Sequence, residues 1–181
     1  MLTMVDRPLS TAETAPRQSP IAALEGVLEE LAPVVAVLSP EAYGARLFPN
    51  ASGSIGEHVR HCLDHVSALV SADPSSCLSY DRRERGTAVE TDPAQALRCI
   101  QLLRFKVVVG RWSARLDEPI CVMSTMARGG AMLTGMSTLA RELAFVLNHT
   151  IHHQAMIGLL ASLHGRDVPD GFGFAPSTPR Q

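Results

Sequence analysis

Between residues 54 and 71, Ile55, Val59, Cys62, Val66 and Leu69 recur at spacings of four, three, four and three, which gathers them on one face of an α-helix. Ser54 is placed to cap that helix, with Glu57 three positions on completing a capping box. A helix is also predicted from Pro20, behind the N-cap candidate Ser19, through IAALEGVLEELAPVVAVL; Pro33 should kink or interrupt it, and it should stop near Ser39-Pro40. Asp92-Pro93 repeats the cap-and-proline opening, and helical periodicity continues to about Leu116, across Gly110. The last periodic stretch begins behind Ser137 or Thr138 and reaches His164, where Gly165 stands ready for a positive φ.

Between these stretches the pattern breaks. Residues 72–91 are polar, with Pro74, Gly86 and the charged run YDRRER. Residues 117–136 hold Pro119, Gly129, Gly130 and Gly135 around the apolar ICVM, which reads as a short extended segment or a loop. Residues 1–18, rich in Pro, Ser and Thr, cannot bury enough surface to offset ordering, and we expect a flexible arm there. The rest, 19–181, is expected to form one domain: an all-α, antiparallel four-helix bundle with long loops and an irregular C-terminal tail docked by Phe172 and Phe174. Connections of that length suggest that they cover something.

The chain has 181 residues, 46% of them hydrophobic, enough for one substantial core. Its net charge of −2 and the absence of a long Lys/Arg run argue against nucleic acid as a partner. The first 20 residues lack the apolar core of a secretory signal, and no segment approaches the roughly 20 apolar residues that span a bilayer; a soluble, cytoplasmic protein without a membrane partner is expected. Cys62, Cys77, Cys99 and Cys121 are far apart, so reduced or buried thiols are expected rather than a disulfide framework.

Six of the seven histidines fall in two clusters, His58/His61/His65 in SIGEHVRHCLDH and His149/His152/His153 in NHTIHHQAM. A pair four residues apart on a helix can aim two ring nitrogens at one ion. On the last helix, Leu143, Val146, Leu147, Thr150 and Ile157 mark the inward face; His153 falls beside it, His149 at its edge and His152 nearly opposite. His149 and His153 are therefore the natural pair. In the other cluster, His58 and His65 lie nearer the apolar stripe than His61 does, and periodicity does not choose the third ligand.

The two stretches SIGEHVRHCLDH and LNHTIHHQAMI, with the helix count and order, resemble the DinB-like metalloproteins, four-helix bundles that include bacillithiol transferases, mycothiol-dependent isomerases and the iron-binding bundles of sulfoxide synthases. The likeness covers most of residues 20–165, and YDRRER with the closing FGFAPSTPR is similar to a bacterial subgroup of that family. In the family, one histidine follows an S-I-G-x-x-V-x-H-like helix start and two more occur as H-x-x-x-H on the last helix. The resemblance therefore implies metal ligands His61, His149 and His153 and a homodimer, while His58, His65 and His152 are departures from the pattern.

Three imidazoles leave a coordination position open, as in catalytic sites. The reading is a metal-dependent enzyme acting on a small molecule, by hydrolysis or by transfer of a low-molecular-weight thiol. Zn²⁺ is the default ion, with Ni²⁺ or Fe²⁺ as alternatives. The alternative function is a non-catalytic metal-binding or stress-response bundle. His58, His65 and Glu57 are candidate catalytic groups; Glu57 and Asp64 are also candidate partners for a ligand's second nitrogen. Tyr80, Arg82 and Arg85 are candidate substrate-binding residues, with an Asp81–arginine lock as the plainer reading. Trp112 and the series Met123, Met126, Met132 and Met136 are read as packing, and Asn148 as a carbonyl-orienting or internal hydrogen-bonding group.

Overall fold

The computed structural model describes residues 19–48, 53–82, 84–110 and 112–179, so the expected N-terminal arm lies outside the described residues. Five α-helices are described: α1 (Pro20–Ala36), α2 (Pro40–Gly44), α3 (Ile55–Val70), α4 (Pro93–Val109) and α5 (Leu139–Leu163). The four long ones form a closed ring of neighbours, α1 against α4 and α5, and α3 against the same two. Their apolar faces meet in one core; the α3 stripe of Ile55, Val59, Cys62, Val66 and Leu69 is wholly buried.

Local chemistry sets the ends. Ser19, Ser54, Asp92 and Thr138 cap α1, α3, α4 and α5 through their side chains, and Ser54 and Glu57 complete the capping box. Helix α1 runs on through Pro33 to Ala36. Helix α4 stops well short of Leu116, because Gly110 is its C-cap and Trp112 folds back to donate its indole N–H to the Val107 carbonyl at 2.9 Å. A Cβ on Gly110 would lie 1.9 Å from that indole nitrogen, so the turn needs a residue without one. At the far end of α5, Gly165 takes the expected positive φ of 68°.

The all-α expectation fails over residues 119–138. Strands β1 (Pro119–Thr125) and β2 (Met132–Thr138) pair antiparallel, with Pro119 opposite Thr138 and Thr125 opposite Met132. Gly129, at φ 65°, supplies the left-handed residue that closes the hairpin. The Met series does not pack as expected: Met126, Met132 and Met136 are exposed on this hairpin.

Residues 72–91 are pinned at several points. Leu78 makes a parallel bridge to Val122, its N–H reaching the Cys121 carbonyl at 2.7 Å, while the Met123 N–H reaches the Leu78 carbonyl at 2.8 Å. Beside it Cys77 and Cys121 form a disulfide across 44 residues, with Cα atoms 4.5 Å apart. The expectation of thiols at these two positions is therefore corrected: distance along the chain hides a pairing that the loop-to-strand bridge creates. Cys62 and Cys99 stay reduced, and burial pushes the Cys62 thiol up to about 12. Further on, buried Arg60 pairs with Asp64 and Glu90 and donates to the Glu84 carbonyl at 3.2 Å. Gly56 has no side chain where the Glu90 carbonyl approaches; a Cβ there would sit 2.0 Å from that oxygen. In the tail Phe172 is buried as expected, whereas Phe174 is 62% exposed.

Candidate metal centre

Helices α3 and α5 lie side by side, and the two histidine clusters meet at their seam. His58, His61 and His65 occupy one side of α3, and His149 and His153, one turn apart, face them from α5; His152 is exposed. One potential ligand nitrogen from each of His61, His149 and His153 falls within 4.8 Å of the others, and the three side chains are half-buried. Among the described residues no fourth His, Cys, Asp or Glu joins this group.

The group fits a divalent ion on two grounds. His61 Nε2 and His149 Nε2 face each other at 2.8 Å. A tetrahedral ion with metal–nitrogen bonds of about 2.0–2.1 Å holds its nitrogens about 3.3 Å apart, so only about half an ångström of opening is needed there. Protonation also favours ligation. Burial first, then the neighbouring imidazoles of His149, His58, His152 and His65, hold the His153 pKa down to about 3, so near neutral pH its lone pair is available.

The two core-facing histidines of α3 take different positions, as their nearness to the apolar stripe predicts. His58, one turn of α3 away from His61, places its Nδ1 3.0 Å from His153 Nδ1. His58 is itself buried, and burial lowers its pKa, against the raising effect of Glu57. His65 donates Nδ1–H to the His61 carbonyl at 2.9 Å, one turn back. That ring stacks on Tyr80, with centroids 5.0 Å apart and planes 3° from parallel, and lies 4.3 Å from the His149 ring.

Tyr80 is thus brought to the histidines from the long connection. Its hydroxyl donates to Glu142 Oε2 at 2.9 Å, and Ser137 Oγ donates to Glu142 Oε1 at 2.7 Å. Burial, and then the Glu142 carboxylate, push the Tyr80 hydroxyl above its ordinary range. Sequence reasoning missed Glu142 altogether and read Ser137 only as a possible helix cap. Position offers a signal for Glu142, because it precedes His149 by two helical turns and so shares its face. Phe145 completes this wall, its ring stacked near His149 with centroids 5.6 Å apart.

Other candidates serve elsewhere. Glu57 is committed to the α3 cap and to an ion pair with Arg46; burial raises its pKa, but the Ser54 backbone hydrogen bond and Arg46 outweigh that and lower it. Asp64 pairs with Arg60. Asp81 accepts the Thr125 N–H at 2.7 Å, anchoring the hairpin. Arg82 and Arg85 are exposed, and among the described residues no hydrogen bond or ion pair ties them to the histidines. Asn148 donates to the Ala144 carbonyl within its own helix.

No protein-family model matches the chain. Over 102 residues, 56% of its length, it is 33% identical to FK506-binding protein 5 of Rhizopus delemar. The match covers 26% of that protein, so the chain spans about a quarter of the curated relative it resembles. No helix among the described residues is long and apolar enough to cross a membrane.

Proposed function

We propose that the chain is a DinB-like four-helix-bundle metalloenzyme that holds one divalent ion through His61, His149 and His153 and acts on a small molecule. The observation that carries this reading is the convergence of three imidazoles from two helices without a fourth protein ligand among the described residues. A closed structural site has four protein ligands, whereas a catalytic one keeps a position for water or substrate. Bound there, a divalent ion lowers the pKa of a water to about 7, polarises a carbonyl or stabilises a thiolate.

The chain's own groups divide the remaining work. His58 holds His153 in orientation from behind, nitrogen to nitrogen. His65, its Nδ1 proton committed to a backbone carbonyl, packs its ring against His149 and Tyr80 and so fixes the wall of the site. Tyr80 and Phe145 give the site an aromatic wall, and Glu142 keeps Tyr80 in place. This set suits hydrolysis or transfer of a low-molecular-weight thiol to an electrophile, with Zn²⁺ as the expected ion.

The test is elemental analysis of protein purified without a metal-affinity tag. One equivalent is expected in the wild type and a loss of most of it in His61→Ala and His149→Ala; full retention in both variants overturns the ligand set. Cobalt(II)-substituted protein then separates an enzyme from a non-catalytic binder. A new thiolate-to-cobalt charge-transfer band on adding 2-mercaptoethanol is expected, and a spectrum indifferent to the thiol would mean a closed site.

A further inference from the structure

We propose that the cleft between α1, α5 and the C-terminal tail is a second binding site, for a small organic cation with an apolar body. The cleft encloses about 730 Å³, within the range of small-molecule pockets. On α5 it is lined by Leu147, Ile151 and Gln154. At about 100° per residue these share a face that points nearly opposite to His149 and His153, so the cleft is separate from the histidine group.

Three features give the site its chemistry. The first is its charge: among the described residues Glu30 and Asp170 line the cleft, no Lys or Arg does, and neither carboxylate makes an ion pair. The second is an unmatched acceptor. Gln154 is wholly buried, and its Nε2 donates to the Val27 carbonyl at 2.7 Å, which fixes the orientation of the amide. Oε1 is left buried without a hydrogen-bond partner among the described residues, so a group that reached it from the cleft would have to be a donor. The third is an aromatic lip: Phe174, 62% exposed, lines the same cleft, and an aromatic face attracts a cation.

The walls are built to stay apart. Gly173 brings the tail so close to α5 that a Cβ on it would lie 2.4 Å from the Ala155 nitrogen, which holds the outer wall in place. Gly26, inside α1 and lining the cleft, would project a Cβ into open space. A glycine inside a helix is less stable there than alanine, and here it keeps the floor clear.

The probe is octylammonium, with octanoate as the control of equal apolar length and opposite charge, titrated into the full chain by calorimetry and followed by amide NMR shifts at Gln154 and Phe174. Saturable one-site binding at least tenfold tighter for octylammonium is expected, weakened at least tenfold by Glu30→Gln with Asp170→Asn. Gly26→Leu, which replaces a helical glycine where there is room, should raise the melting temperature, abolish binding and leave the metal content unchanged. Absence of saturable binding, equal binding of the two probes, or binding that survives Gly26→Leu overturns the proposal.

Discussion

His58 and His153 meet through their Nδ1 atoms, so a residue outside the three-histidine group bears on any ion held there. Replacing His58 by Phe keeps the bulk but removes the nitrogen facing His153, so metal affinity should fall about 10–100-fold with the stoichiometry unchanged, as read by competition with a chelator. Tyr80→Phe removes one of the two hydroxyls donated to the buried Glu142 carboxylate and should cost about 1–3 kcal/mol in urea denaturation. The histidine pair on α5 was legible because four-residue spacing maps directly onto a helix face. His61 was not chosen by periodicity, since a ligand at the seam between two helices lies off the stripe of both; the family likeness named it. Glu142 stayed hidden because an acidic residue in the first turn of a helix is already accounted for by the helix dipole.

At the level of elements, caps were the most readable feature, because Ser19, Ser54, Asp92 and Thr138 act on their own helices and need no distant partner. Ser54→Ala should cost about 0.5–2 kcal/mol by freeing the start of α3, and amide exchange in its first turn should quicken. What the pattern missed depends on contacts between segments. Helix α4 ends early because Trp112 returns over Gly110, and ICVM becomes a strand because MLTGMST pairs with it around Gly129. The disulfide belongs to the same class: Cys77 meets Cys121 once Leu78 lies beside Val122. Closing a loop of 44 residues constrains the unfolded chain by about 4 kcal/mol in the entropic account. Cys77→Ser with Cys121→Ser should lower the unfolding free energy by about 2–4 kcal/mol, measured by denaturant titration.

Across the whole molecule, the histidine seam joins α3 to α5, so ion binding and folding should be linked. Excess zinc at a hundred times its Kd should stabilise the protein by about 2.7 kcal/mol, seen as a raised melting temperature that His149→Ala abolishes. Metal-free protein should respond to acid in a defined window. His153 titrates near 6.5 when unfolded and at about 3 when folded, so the unfolded state takes up the proton first. Stability should be flat with respect to this group above pH 6.5, decline as pH falls below it, and have lost the full contribution below about 3; His58, lowered in the same direction, adds to the decline. Denaturant midpoints measured from pH 8 to pH 4 check this, and a midpoint that rises on acidification would contradict it. The covalent link between residues 77 and 121 also governs how samples compare. It tethers the segment that lays Tyr80 on His65, so a preparation kept in dithiothreitol and one kept in air present the histidine group with surroundings of different freedom. Measurements made in the two buffers would belong to two molecules.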